Sequence, residues 1–142
     1  MTTLEQVPAS EGRETLGVYL ALDGSQTEQL TAMKKKVRQW CDNIKCGHIP
    51  HREAWQCVTS TIMKTLMYPL PTLTLTQEEC TSLIAPVHSV GLNASHICQK
   101  VPKKLVYGDS QALGLGLPDL FVEQGLAHVA LYKLILPRMC TR

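Results

Sequence analysis

Aromatic side chains are scarce in this chain, with a single Phe, two Trp and four Tyr among 142 residues. Leu, Val, Ile, Met and Ala must therefore fill most of any interior. No stretch approaches the ~18 uninterrupted apolar residues that a membrane-spanning helix needs, so no membrane partner is expected. The first residues, Met1 to Glu14, hold no apolar core of the kind a secretory signal carries. The chain is thus expected inside the cell, in nucleus or cytoplasm, and not secreted. In that reducing setting the cysteines at 41, 46, 57, 80, 98 and 140 read as free thiols. A nucleophile elbow, a phosphate loop and a metalloprotease motif are all missing. A marked excess of charge of one sign is missing too. A net charge of +2 is too small to announce a nucleic-acid binder by itself.

What is present is enough apolar residue, 44% against 18% charged, to build a packed core within one ordinary domain or a piece of a larger one. The expected fold class is mainly α, a small helical domain with one short N-terminal strand. Residues 1–13 read as a loose leader. Thr15 to Leu22 is a strand candidate closed by Asp23-Gly24, and a lone strand has no sheet to join within this chain. From 25 to 137 the pattern is helical, and 138–142 form a tail.

Ser25 and Glu28 have the spacing of a capping box. Leu30, Met33, Val37, Trp40, Cys41 and Ile44 then recur at helical spacing until Gly47, which predicts a helix over 26–46. A second helix over 51–68 places Ala54, Trp55, Val58, Ile62 and Leu66 on its apolar face. Trp40 and Trp55 are both expected to be substantially buried. Pro69 and Pro71 end that helix and extend the chain through Leu73 and Leu75. Thr76 and Glu79 form another capping box, opening a helix that buries Cys80, Leu83, Ile84 and Val87. Pro86 is expected to kink or shorten it and Gly91 to close it, with Asn93 capping a further turn. After an irregular stretch from Pro102 to Gly116, a last helix from Pro118 carries Leu120, Val122, Leu126, Val129 and Leu134, and Pro137 halts it.

Few constellations carry chemistry. Cys41, Cys46, His48 and His51 offer two thiols and two imidazoles, the ligand types of tetrahedral zinc. Their spacing is not that of a standard finger, and Cys41 falls on the apolar face of the first helix, where a buried free cysteine is the plainer reading. Tyr107-Gly108-Asp109-Ser110 has the outline of a polymerase metal turn, but Ser110 stands where a second aspartate is needed to clamp two magnesium ions. Asp109 reads as an ordinary loop acid. No cofactor is implied. Lys34, Lys35 and Arg38 project away from the Met33/Val37 seam. A solvated polar face explains them, and such a face is also what a protein lays along a phosphate backbone.

The string Glu14-Thr15-Leu16-Gly17-Val18, followed by Asp23-Gly24, resembles the segment that ends the palm in reverse transcriptases of non-LTR (LINE-like) retrotransposons. In that family a mainly helical thumb follows. The order of further motifs is similar: Trp40; Trp55 with Thr61-Ile62; Tyr68-Pro69-Leu70; Thr74-Leu75-Thr76 leading to Cys80; Pro102 with Val106-Tyr107-Gly108; Gly114-Leu115-Gly116-Leu117; and Gln124-Gly125-Leu126-Ala127-His128. The resemblance spans residues 14 to 132, and the order and spacing of the motifs give it its weight.

The family's catalytic aspartates lie upstream of the Leu-Gly segment and have no counterpart in this chain, so no catalytic residue and no polymerase activity are expected of it alone. The resemblance implies that Leu16 and Gly17 sit near the primer terminus. It also implies that the first helix faces an RNA/DNA template–primer duplex, with Lys34, Lys35 and Arg38 on phosphates. A protein partner is also implied, at the surface the missing palm would cover. The alternative is a small helical interaction or structural subunit with no nucleic-acid role.

Overall fold

The chain opens on a hairpin, not on a single strand. In the computed structural model, which describes residues 8, 9 and 11–139, β1 (Arg13–Thr15) pairs antiparallel with β2 (Val18–Leu20), Thr15 opposite Val18. Leu16 and Gly17 form the two-residue turn, both at positive φ (53° and 82°). Those angles match the right-handed twist of paired strands, and Gly17 supplies one of them without strain. The expected strand from Thr15 to Leu22 is thus broken in its middle, and its partner lies within the chain. Most of the expected leader, residues 1–7 and 10, falls outside the described residues.

Helix α1 runs Thr27–Cys46 and ends at Gly47 as expected. Its start differs. Gln26, not Ser25, takes the N-cap position, and no side chain caps the helix. The reason is tertiary: the Gln26 side-chain oxygen accepts from Thr74 N at 2.9 Å, which fixes where the chain turns into the helix. The Ser25 hydroxyl instead pairs with Thr27, 3.0 Å away. Met33, Val37, Cys41 and Ile44 form the buried stripe of α1, while Leu30 and Trp40 are half-buried at its edge.

The second helix is continuous over 51–67 but changes pitch in its middle. It is α-helical at α2 (His51–Gln56), widens to a π-helical segment (Cys57–Ile62), and returns to α at α3 (Met63–Met67). Two hydroxyls bond back to carbonyls at the start of the widened segment. Thr59 donates to Trp55 O at 3.0 Å and Ser60 to Gln56 O at 2.5 Å. Ala54, Val58, Ile62 and Leu66 are buried as the spacing predicts, joined by Met63. Trp55 is half-buried against the core rather than inside it.

The Thr76/Glu79 capping box is present. Glu79 N donates to the Thr76 hydroxyl at 3.3 Å, and Thr76 N donates to the Glu79 carboxylate at 2.8 Å. It opens α4 (Gln77–Ala94), whose residues Cys80, Leu83, Ile84 and Val87 are buried in the shared core. Pro86 lies inside this helix without ending it, and Gly91 does not close it. Gly91 is instead a contact point. A Cβ there would stand 2.8 Å from Val58 Cγ2, closer than carbon atoms approach, so only glycine lets α4 lie against the π-helical segment. Asn93 is within the helix and caps nothing beyond it.

The stretch from Pro102 to Gly116 contains a one-turn helix α5 (Lys103–Val106) and a short 3-10 turn, Ser110–Ala112. Its end folds back on its beginning: Leu115 N donates to Leu105 O at 2.7 Å and Leu117 N to Val106 O at 3.0 Å. Gly114 lies so close to Gly108 that a Cβ would fall 2.1 Å from the Gly108 carbonyl oxygen.

The last helix, α6, spans Leu120–Met139, so Pro137 does not halt it as expected. Leu120 is buried, but Val122, Leu126, Val129 and Leu134 are exposed, against the expectation of a core-facing stripe. What fixes α6 is Gln124, 6% exposed, whose side-chain oxygen accepts from Leu75 N at 3.0 Å while its nitrogen donates to Leu75 O at 3.1 Å. An amide side chain here completes the hydrogen bonding of an extended segment that has no strand beside it.

Candidate nucleic-acid interface

On α1, residues four apart stand one above the other, so Lys34 and Arg38 share a face. They line a shallow groove of about 120 Å³ between α1 and α4, together with Ser82 and Pro86. Lys35 is exposed and lies ~100° further round the helix, off the groove. Lys34 is half-buried and also acts on Glu79. The hydrogen bonds from Thr76 hold the Glu79 carboxyl below the usual carboxylate range, and the charge of Lys34 adds to that. Part of the Lys34 charge is therefore already balanced within the protein, and Arg38 is the more open cation of the pair.

Leu16 and Gly17 are placed elsewhere. The hairpin is held to α1 through Gln29, whose side-chain oxygen accepts from Tyr19 N at 2.7 Å, and to the end of α3 through the Tyr68 hydroxyl, which donates to Leu16 O at 3.0 Å. Gln29 and Lys34 are separated by ~140° around α1. The hairpin tip and the basic groove thus sit on different sides of that helix, and the structure does not bring them onto one face. Leu16 itself is 86% exposed at the tip.

The four residues with zinc-ligand chemistry are not brought together. Cys41 is buried in the core, and burial pushes its thiol up, away from the thiolate that a metal requires. Cys46, at the end of α1, and His48 are exposed. His51 is engaged elsewhere: its Nδ1 lies 2.9 Å from Ala94 O, and its ring stacks on His96 with centroids 3.5 Å apart. Among the described residues no group of three or more His, Cys, Asp or Glu is placed to hold a metal ion. Asp109 accepts from Gln111 N at 3.0 Å and caps the 3-10 turn, an ordinary loop role.

One cluster has no signal in the sequence. Cys80 of α4, Lys103 and Tyr107 of α5 and its C-cap, and Asp119 before α6 line a cavity of about 110 Å³. Beside it the His88 ring packs against Tyr107, centroids 5.6 Å apart, with Nε2 enclosed and lacking a hydrogen-bond partner. Burial drives the His88 pKa down, helped by Lys103 and opposed by Asp119. Burial also raises the Cys80 thiol and the Tyr107 phenol, so both are held protonated. The cavity is well below the ~300 Å³ at which small-molecule sites begin. It has room for water and a few polar tips, not for a substrate.

Comparison with known proteins finds no matching family model, no similar curated protein and no similar solved structure. No helix among the described residues is long and apolar enough to cross a membrane.

Proposed function

We propose that the chain is the thumb region of a non-LTR retrotransposon reverse transcriptase, and that it binds nucleic-acid duplex weakly through the basic side of α1 without catalysing polymerisation. The observation that carries this reading is the placing of Lys34 and Arg38 along one groove, with Lys35 beside it on open surface. Cations along such a groove rim meet phosphates, not base edges, so binding is sensitive to salt and nearly blind to sequence. The mainly helical fold and the residue order described above agree with the reading. Leu16 and Gly17 take the role of a second contact, on a different side of α1 from the cations.

Fluorescence anisotropy with labelled RNA–DNA and DNA duplexes of unrelated sequence tests it. All should bind alike at low ionic strength. Absence of binding there, or strong preference for one sequence, refutes the proposal. Primer extension by the purified chain should not exceed a control without protein.

The second reading, a helical interaction subunit with no nucleic-acid role, is favoured by one specific observation, the exposed apolar surface of α6.

A further inference from the structure

Among the described residues, every hydrogen bond made by residues 102–117 closes within that segment. Leu105 N and Val106 N donate to Pro102 O, Leu115 N to Leu105 O, Gly116 N to Gly108 O and Leu117 N to Val106 O. Asp109 serves the turn between. The two ends lie together, as in a compact surface loop that carries its own packing. What joins the loop to the rest is apolar side chain: Val106 and Leu117 in the core, with Tyr107 and Leu115 half-buried against it. A unit built this way can lift as one piece, because lifting it breaks no hydrogen bond to its surroundings.

Against the loop, His88 of α4 packs its ring on Tyr107, with Nε2 enclosed and without a hydrogen-bond partner in the protein. A neutral imidazole tolerates that place. An imidazolium does not, since both ring nitrogens then carry hydrogen and an enclosed donor stands unpaired. The charges acting on His88 come from two sides. Lys103 belongs to the loop and repels an imidazolium. Asp119 belongs to the frame, fixed by its bond from Phe121 N at 2.9 Å, and attracts one. The Tyr107 phenol and the Cys80 thiol, both held protonated by burial, add no charge. Proton uptake thus pushes on the part that can move and is favoured by the part that stays.

We infer that residues 102–117 form an acid-released latch: protonation of His88 lifts the loop from α4 and opens the Cys80 cavity, of which Lys103 and Tyr107 are one wall. The inference stands apart from duplex binding, because no cation of α1 takes part.

Hydrogen exchange of the full chain, read by mass spectrometry and corrected for the intrinsic pH dependence of exchange, tests it. As pH falls below about 6.5, the value of a free imidazole, protection over residues 103–117 should drop by up to about tenfold per pH unit. It should vanish while α1 and α4 are still protected. Over the same range Cys80 should become reactive to dithiodipyridine, a disulfide reagent that works in acid, with the modified peptide identified by mass. His88→Gln should abolish the acid response of both loop and thiol. Lys103→Gln, on open surface, should shrink it, and serves where His88→Gln does not fold. Loop amides as protected as those of α1 throughout, exchanging only on global unfolding, overturn the inference. So does a Cys80 thiol that stays unreactive while the loop exchanges, or an acid response that persists in His88→Gln or is undiminished in Lys103→Gln.

Discussion

Replacing Gln124 with Ala removes the one side chain that satisfies both backbone groups of Leu75. The amide makes two hydrogen bonds, at 3.0 and 3.1 Å, in a place where Leu75 is 3% exposed. Leaving a buried donor or acceptor unpaired costs about 1–3 kcal/mol each. Partial entry of water into the space left behind offsets some of this, so the net loss should be about 2–4 kcal/mol. A domain of this size has ~5–15 kcal/mol in total. At ~3–4 °C per kcal/mol, the midpoint of thermal unfolding should fall by about 6–16 °C. Urea unfolding followed by circular dichroism measures it directly: the midpoint should drop with the slope unchanged, since the surface exposed on unfolding is nearly the same.

Gln124→Glu sharpens the test. At neutral pH it buries a carboxylate that accepts from Leu75 N but cannot donate to Leu75 O. Its folded pKa should be raised, so its stability deficit should shrink as pH falls through that raised value, where the protonated acid donates again. A Gln124→Ala variant within 0.5 kcal/mol of wild type, on the order of an ordinary surface substitution, would refute the role assigned to this amide.

Gly91→Ala should cost about 1–3 kcal/mol by forcing α4 off Val58, and pairing it with Val58→Ala should recover part of that, measurable by the same unfolding curves. Gly114→Ala should be worse, because the added carbon meets the Gly108 backbone, which has no rotamer to yield. His88 is held neutral in the fold, its pKa depressed below the unfolded value near 6.5. Its contribution is therefore whole above that pH, and is lost as pH falls from there through the lower folded value, where the enclosed ring must take up a proton. His88→Gln should flatten the stability profile in that acidic window; an unchanged profile would show that His88 is not the group responsible.

Periodicity was enough to read the helices wherever a helix lies against the core along its whole length. The α1 stripe from Met33 to Ile44, the Val58–Leu66 face and the Thr76/Glu79 box are all local patterns, and the structure keeps them. Where contacts between distant segments decide, the pattern misleads. Gln26 reaches Thr74 and so moves the start of α1. Gly91, a natural helix terminator, is needed inside a helix by Val58. Leu16-Gly17 looks like the middle of an apolar strand, and only the pairing of Arg13 with Leu20 shows it to be a turn. At α6 apolar periodicity does not mean burial, since Val122, Leu126, Val129 and Leu134 are exposed. Periodicity and burial part company where the surface facing a helix is not part of the same chain's core.

The candidate site was legible in part for the same reason. Lys34 and Arg38 share a face because helical spacing puts them there, but their groove needs Ser82 and Pro86 from α4. The His88 cluster draws on segments too far apart in sequence for any spacing rule to join.

The reading of α1 as a duplex-binding face stands or falls on how binding responds to salt. Association with an RNA–DNA duplex, measured by anisotropy across a series of salt concentrations, should give a log–log slope of about −2 to −3, as expected for some three phosphate contacts. Lys34→Gln, Lys35→Gln and Arg38→Gln made together should flatten that slope toward zero with the unfolding midpoint unchanged, since none of the three is part of the core. A slope that survives the triple substitution, or binding that does not depend on salt at all, would contradict it.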